Sequence, residues 1–582
     1  MQNTQRQRSS VNLNKVAVAG LAQEKGCEGC ACPGLRDLAP LHLAMASDTH
    51  TSVIGPFSEK KLELLQRLLE TSASIYDLAA TPERGYEEML VAARIFCMSS
   101  DELYFLEDAE ELRQPLNHRN EAAALSLIQQ RVSGDAVRRS CVLNQLRAYC
   151  ERLWPHFHHE DAGLDGRDGA REVGATGETT MSFMSWAKKA GIVSSDLVVG
   201  TFPPHGIRGC FSERDILPGD DILCIPSTAL MYDETVLETD LGKMLSLIPG
   251  LGMDNLLVIF TMIDRFDEDS LWRDFWRELP GSFDTGLSFP PACVDLLQGS
   301  SAYDEILKAQ AHIKNQYDAC TPLFDVLLKA YPDLLDAAWF TMEKYVWAVE
   351  LWYSYAFEIE FPPSTKSKTV MVPFGCLLNH SPWPHCVRYG RIDATGSLRF
   401  PAFRPCKQGN QVFISYGPVP NVKLIAYYGF AVNDNPHDIV PLTLEPPDGC
   451  SPKVEAVMSK YGLVLDHSLR RSGEAHGGGT QAPMSGKLWA TLRVLVATED
   501  ELAAMLKGKR DPGQVVGTEN EAHARMTLRQ AMCNVLASLE RALESCREKA
   551  LDTGDGFGLS ANMCLVYLKG QVKIVTDAID HV

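Results

Sequence analysis

The sequence predicts an α+β protein: a β-rich central domain with a long helical insert, an all-α domain after it, and a further all-α region ahead of it. Three observations carry that prediction. Short apolar runs cut off by glycine or proline lie at 197–226 and again at 370–415, as strands of a small sheet do. Between them, over about 235–360, apolar residues recur at helical spacing. Helical spacing also dominates 58–159 and 486–580.

Residues 1–55 show little periodicity and are expected to form a flexible segment. From Ser58, Leu62, Leu64, Leu65, Leu68 and Leu69 fall at helix spacing with charges between them, so 56–160 is expected to be helical. Residues 161–180, rich in Gly, Asp, Arg, Glu and Thr, read as a linker. The central domain is placed at 181–435, with its helical insert at about 235–345. Strands are expected over 197–202, over 222–226 (ended by Pro226), near 370–372 and over 412–415. Beyond Pro441, helices are expected at roughly 486–507, 519–548 and 561–580, with 473–480 a glycine-rich loop.

Two helical stretches repeat. Arg94 is followed by Ser99-Ser100-Asp101-Glu102-Leu103 and then Asn120-Glu121-Ala122. Arg493 is followed by Thr498-Glu499-Asp500-Glu501-Leu502 and then Asn520-Glu521-Ala522. The Arg-to-Asn spacing is 26 residues in one copy and 27 in the other. Duplication explains this order; two unrelated amphipathic helix pairs are the alternative.

Composition narrows the function. With 55 basic and 75 acidic side chains the formal charge is −20. So acidic a chain repels phosphate and attracts basic protein surfaces, so no nucleic-acid partner is expected. The 17 cysteines, an odd number, read as thiols of an intracellular protein rather than a disulfide framework. No apolar run approaches the ~20 residues of a membrane span, and the run at 256–262 ends by Asp264. The N-terminus has Arg6, Arg8 and Lys15 with no acid before Glu24, which leaves a plastid transit segment as an alternative to the cytoplasm. Cys27, Cys30 and Cys32 lack a fourth ligand at sensible spacing, and His156, His158 and His159 read as a solvated helix end; no metal is expected.

Four segments carry the chemistry. The first is Gly206-Ile207-Arg208-Gly209-Cys210-Phe211, a glycine turn that lets backbone approach a ligand. The second is Leu377-Leu378-Asn379-His380-Ser381, which sets an amide and an imidazole at a strand end. The third is Gly409-Asn410-Gln411-Val412-Phe413-Ile414-Ser415-Tyr416-Gly417, a strand running into an aromatic hydroxyl. The fourth holds Asn421 and Tyr427-Tyr428-Gly429-Phe430. Each alone is ordinary; their order and spacing are specific.

In this order the segments resemble the SET-domain protein methyltransferases, and within them the branch of the Rubisco large-subunit lysine methyltransferase and the actin-histidine methyltransferase. The resemblance covers the SET domain at 181–435 and that branch's helical substrate-binding domain at 441–582; 56–160 resembles a second copy of the latter. It implies S-adenosyl-L-methionine as cofactor, cradled at Gly206, Ile207 and Arg208 and held by Asn379 and His380. It implies Tyr416 as the catalytic tyrosine, with Tyr428, Gly429 and Phe430 lining the cofactor and substrate channel. The expected reaction is methyl transfer to a lysine of a non-histone protein. The alternatives are transfer to histidine, or a SET protein that binds protein without catalysis. The chain departs from the family pattern twice. Where a Ser-Arg-Ala-Phe-like helix end is usual it has Ser354-Tyr355-Ala356-Phe357, and where an Asp usually stands three residues before the Asn it has Cys376.

Overall fold

A computed structural model describes residues 82–98, 118–131 and 178–582 apart from short gaps, together with Leu64 and Leu106. Gly206, the three thiols at 27–32, the histidines at 156–159 and most of the 161–180 linker lie outside the described residues.

Helices α1 (Pro82–Cys97) and α2 (His118–Arg131) pack on each other. Leu90, Ala93, Ile95, Ala124, Leu125 and Ile128 are buried between and around them. A fully buried ion pair joins the two: Arg94 Nε and Nη2 donate to the Glu121 carboxylate at 2.6 and 2.8 Å, and Asn120 Nδ2 donates to the Arg94 carbonyl at 3.0 Å.

The central domain opens with α3 (Glu178–Lys189), whose Phe183 and Ala187 face the core. Strands β1 (Val193–Ser194), β2 (Leu197–Phe202), β3 (Ile207–Ser212) and β4 (Asp221–Pro226) follow. Along β2, Leu197 and Val199 are buried while their neighbours are not, the two-residue period of a sheet with one covered face. The insert then supplies α4 (Asp233–Glu238), α5 (Asp240–Ser246), α6 (Met253–Asp264), α7 (Arg273–Glu278), the 30-residue α8 (Ser301–Ala330) and α9 (Met342–Tyr355). Its α6 buries Leu256, Leu257, Ile259, Phe260 and Ile263 and ends at Asp264, whose carboxylate accepts from Trp276 Nε1 at 2.7 Å and Ser270 Oγ at 2.6 Å.

Five strands complete the domain and its exit: β5 (Ala356–Glu360), β6 (Ser367–Met371), β7 (Asn379–His380), β8 (Ser397–Pro401) and β9 (Gln411–Ile414). They form a sheet ordered β2-β3-β9-β7, a sheet ordered β1-β4-β8, and the β5–β6 hairpin. In the first sheet β3 runs antiparallel to β9, with Cys210 opposite Val412. The two-residue β7 runs parallel to β9, with Asn379 opposite Phe413 and His380 opposite Ile414. That parallel pairing draws the end of a strand from beyond the insert onto the sheet that holds β3.

The C-terminal part pairs β10 (Ile439–Thr443) with β11 (Asp466–Arg470) around α10 (Pro452–Tyr461), then continues with α11 (Gly486–Leu495), α12 (Glu499–Leu506), α13 (Thr518–Asp552) and α14 (Gly558–Asp580). Two details differ from expectation. The stretch 486–507 is two helices, because Thr498 caps α12 in a reciprocal capping box with Glu501 that stops α11 short. In the 473–480 stretch, Gly473–Ala475 pairs with Gly479–Gln481 as a hairpin. Here too an arginine on one helix meets a glutamate on another: Arg493 Nε donates to Glu521 at 2.7 Å, Nη2 reaches it at 3.3 Å, and Asn520 Nδ2 donates to the Arg493 carbonyl at 3.0 Å. Residue for residue this is the Arg94–Asn120–Glu121 arrangement.

Two hydrophobic clusters organise 178–582. One fills the sheets and the insert; the other joins the C-terminal helices to Phe289, Leu296, Leu297, Ala302, Ile306, Ile425 and Ala426 of the central domain.

Candidate active site

Asn379 ties the site together. Its Nδ2 donates to the carbonyl of Arg208 at 2.8 Å, so the amide that ends β7 clasps the backbone of β3 across 171 residues of chain. The fit depends on Gly209: a Cβ there would lie 2.6 Å from Asn379 Nδ2 and 2.8 Å from Gln411 Nε2. Of the first segment, Ile207 is exposed and Arg208 half-buried, while Cys210 is buried and its thiol is pushed up to about 12 by that burial.

His380, next on β7, is buried and held in one tautomer. Its Nδ1 accepts the backbone N–H of Tyr416 at 3.1 Å, which leaves the proton on Nε2. Burial, with His437 nearby, lowers its pKa to about 3, so the ring is neutral at any physiological pH. Nε2 is buried and has no hydrogen-bond partner among the described residues. An orphaned buried donor of this kind costs of order 1–3 kcal/mol unless a ligand meets it.

Tyr416 follows β9 and donates its hydroxyl to the Leu378 carbonyl at 3.0 Å. Burial raises its pKa well above the usual phenol range, with Tyr355, Tyr428, Cys376 and Cys210 adding to the effect. It is therefore a neutral hydroxyl, not a phenolate base. Its ring stacks on Tyr428 at 5.3 Å and lies 5.1 Å from His380; Phe430 meets Tyr416 edge-on at 6.3 Å and Tyr428 at 6.4 Å. Gly429 makes this cluster possible. It ends a π-helical turn at φ +75°, and a Cβ there would sit 2.5 Å from the Asp284 carbonyl of the insert.

The structure thus brings together Arg208, Asn379, His380, Tyr416, Tyr428, Gly429 and Phe430, with Ile207 at the exposed start of β3. Two positions flagged as departures join them. The Arg208 charge acts on the Tyr355 phenol, and Cys376 is buried near Arg208 and Cys210, its thiol pushed up by burial. Sequence reading missed Glu278 of α7, whose carboxylate lies 3.5 Å from Arg208 Nη1 and accepts from Thr180 Oγ1 of α3 at 3.1 Å. An acidic residue 70 positions along, inside an amphipathic helix, gives no local signal of that contact. Among the described residues no cluster of histidine, cysteine or acidic side chains is arranged to hold a metal ion.

The chain is similar to known proteins in both of its main regions. A family model described as the SET domain matches residues 207–417, and one described as Rubisco LSMT substrate-binding matches 55–135 and 455–574. The actin-histidine N-methyltransferase of Canis lupus familiaris is 24% identical over 428 residues, which is 71% of this chain and 69% of that one. The enzyme of the same name from Mus musculus is 26% identical over 450 residues, 75% and 72% of the two chains. Among solved structures, Rubisco LSMT bound to AdoMet superposes with a TM-score of 0.54 at 20% identity, over 70% of this chain and 91% of that one. The LSMT SET domain bound to lysine and AdoHcy gives 0.54 at 19%, over 69% and 90%.

Fold and site together define a SET-domain protein methyltransferase that uses S-adenosylmethionine. Within that class the chain combines a SET domain with segments that match the Rubisco LSMT substrate-binding model.

Proposed function

We propose that the chain transfers a methyl group to a lysine side chain of a non-histone protein, with Tyr416 as the catalytic tyrosine. The observation that carries this reading is the aromatic cluster of His380, Tyr416, Tyr428 and Phe430 beside the Asn379–Arg208 clasp. Clustered aromatic ring faces suit an alkyl ammonium and a sulfonium alike. S-adenosylmethionine supplies the electrophilic methyl carbon, which leaves the protein to position the groups. Asn379 and the 207–209 backbone shape the cofactor cradle, and His380 Nε2–H is a buried donor with no hydrogen-bond partner among the described residues. Gly206 shares that role by resemblance alone. The Tyr416 hydroxyl and the Leu378 carbonyl orient the attacking nitrogen. Neither Tyr416 nor His380 is in a state to take its proton, so a lysine with an ordinary pKa of about 10.4 must lose its proton to solvent before attack.

Transfer to histidine is the second reading, favoured by the printed activity of the sequence relatives. Lysine is preferred because the rings on Tyr416 offer aromatic faces, whereas a histidine acceptor needs a fixed partner for its second ring nitrogen. The test is incubation of the chain with methyl-labelled S-adenosylmethionine and a cell extract, followed by mass spectrometry of the labelled residue. Methyl-lysine supports the reading; methyl-histidine as the product moves it to the alternative, and no label at all favours a binding protein without catalysis.

The domain assignment is likewise proposed: SET at 181–435 with its insert at 235–345, a substrate-binding domain at 441–582, and a second copy of it within 56–160. The matching Arg94–Asn120–Glu121 and Arg493–Asn520–Glu521 contacts support the duplication. No described helix is long and apolar enough to cross a membrane.

A further inference from the structure

Arg208 is wired in two directions. Its carbonyl accepts from Asn379, and its guanidinium extends to Glu278. Among the described residues it is the one cation acting on Cys210, Tyr355, Cys376 and Glu278 together. An anion that enters between β3, Cys376 and Glu278 therefore meets the Arg208 guanidinium.

Its pairing with Glu278 is slack. The contact is 3.5 Å, against about 2.7–2.9 Å for a charge-assisted hydrogen bond in good geometry. A guanidinium has five N–H donors, and most of those on Arg208 are unspent on Glu278. Glu278 is 4% exposed, and burial pushes its carboxyl above the usual carboxylate range despite Arg208 and the Thr180 hydroxyl. Glu278 is held out of water with its partner at arm's length, while Arg208 keeps 22% of its side chain exposed, an arrangement that a second pair of charges improves.

We propose that Arg208 and Glu278 form a zwitterion clamp for the α-amino-acid end of the cofactor, Arg208 taking the carboxylate and Glu278 the ammonium. The inference rests on the methyltransferase reading and adds the side chains that grip one end of the ligand. A zwitterion brings no net charge into the site, and its two charges match the two the protein holds there in sign and order. The positive charge missing at position 355 is thus supplied from β3.

The test separates the two ends of the ligand. Titration calorimetry of the full chain is run with S-adenosylhomocysteine, which has the amino-acid end, and with 5′-methylthioadenosine, which lacks it. Arg208→Gln is expected to weaken S-adenosylhomocysteine roughly 10–100-fold, the range for losing a hydrogen bond to a charged group, and to leave 5′-methylthioadenosine within about twofold. Glu278→Gln is expected to show the same selectivity at smaller size, and Arg208→Lys to recover part of the loss. Equal losses for both ligands, or no loss for either, overturn the clamp while leaving the methyltransferase reading intact. Failure of the unsubstituted chain to bind either ligand overturns that reading itself. Should Arg208→Gln not fold, Glu278→Gln decides alone: an unselective effect there overturns the pairing.

Discussion

At the scale of single residues, the site works through groups whose charge is fixed. Tyr416 is kept as a hydroxyl by burial and spends its proton on the Leu378 carbonyl. Its substitution by phenylalanine keeps the ring stack on Tyr428 and removes the oriented oxygen alone. We expect Tyr416→Phe to lower kcat roughly 100-fold, as loss of one positioned polar group does, while cofactor affinity by calorimetry stays within about twofold. An unchanged kcat would remove Tyr416 from catalysis. Glu350 of α9 behaves differently. It is 2% exposed and accepts from Thr285 Oγ1 at 2.6 Å, next to the 284–288 loop that braces Gly429. Burial and the nearby Asp284 raise its pKa to about 7. The folded state therefore holds a proton that the unfolded chain releases near pH 4.5, and stability falls as pH rises from there to about 7, by of order 3 kcal/mol in all. Glu350→Gln cannot ionise. It should melt close to the parent near pH 5 and several degrees higher at pH 8.5; parallel melting profiles across that range would show that Glu350 does not titrate in the fold.

At the scale of elements, the Arg493–Glu521 pair shows what a helix hairpin in this chain is built on. Arg493 is 9% exposed and its Nη1 also donates to the carbonyls of Pro512 and Gly513, so one guanidinium fastens α11, the start of α13 and the loop between α12 and α13. Removing its partner leaves a buried cation. Glu521→Ala should cost about 3 kcal/mol in urea unfolding of the C-terminal helices, whereas replacing both partners together with Met and Leu should restore most of it. A double variant no better than the single one would assign the loss to packing instead. This motif was legible beforehand because both residues and the intervening Asn recur at near-equal spacing in 94–121 and 493–521. The strands over 197–202, 222–226 and 412–415 were legible too, since each alternates or lies beside a glycine or proline that marks a turn. The break at Thr498 was not, because the run 486–507 keeps helical periodicity across it and only the Thr498–Glu501 capping pair stops α11. Within the site, Tyr416 and the Asn379-His380 pair stood out as polar groups at strand ends. Glu278 did not: its partner is chosen by how α3 and α7 pack on β3, a tertiary fact no window of sequence contains.

At the scale of the whole molecule, the SET domain and the C-terminal helices share one hydrophobic cluster, so their unfolding is expected to be coupled. Leu296, Leu297, Ala302 and Ile306 come from the insert and Ile425 and Ala426 from the turn leading to Tyr428, and all six are buried with Leu528, Leu539, Tyr567 and Leu568. Polar contacts cross the same boundary: Ser301 Oγ lies 3.0 Å from the Tyr567 hydroxyl, Ser538 Oγ donates to the Gly299 carbonyl at 3.0 Å, and Gln571 Nε2 donates to the buried Asp438 carboxylate at 3.1 Å. Burying the four larger aliphatic side chains contributes about 1.5–3 kcal/mol each as an upper estimate, on the scale of a domain's whole stability of about 5–15 kcal/mol. Neither half can then unfold without stripping the other. Ile306→Ala, a change made wholly inside the insert, should therefore destabilise α13 and α14 as much as β3 and β9, by about 2–4 kcal/mol. Hydrogen exchange read peptide by peptide checks this. Protection should drop together in 207–212, 411–414 and 558–580; loss confined to the insert and the sheets would mean that the helical domain stands on its own and only leans against the catalytic one.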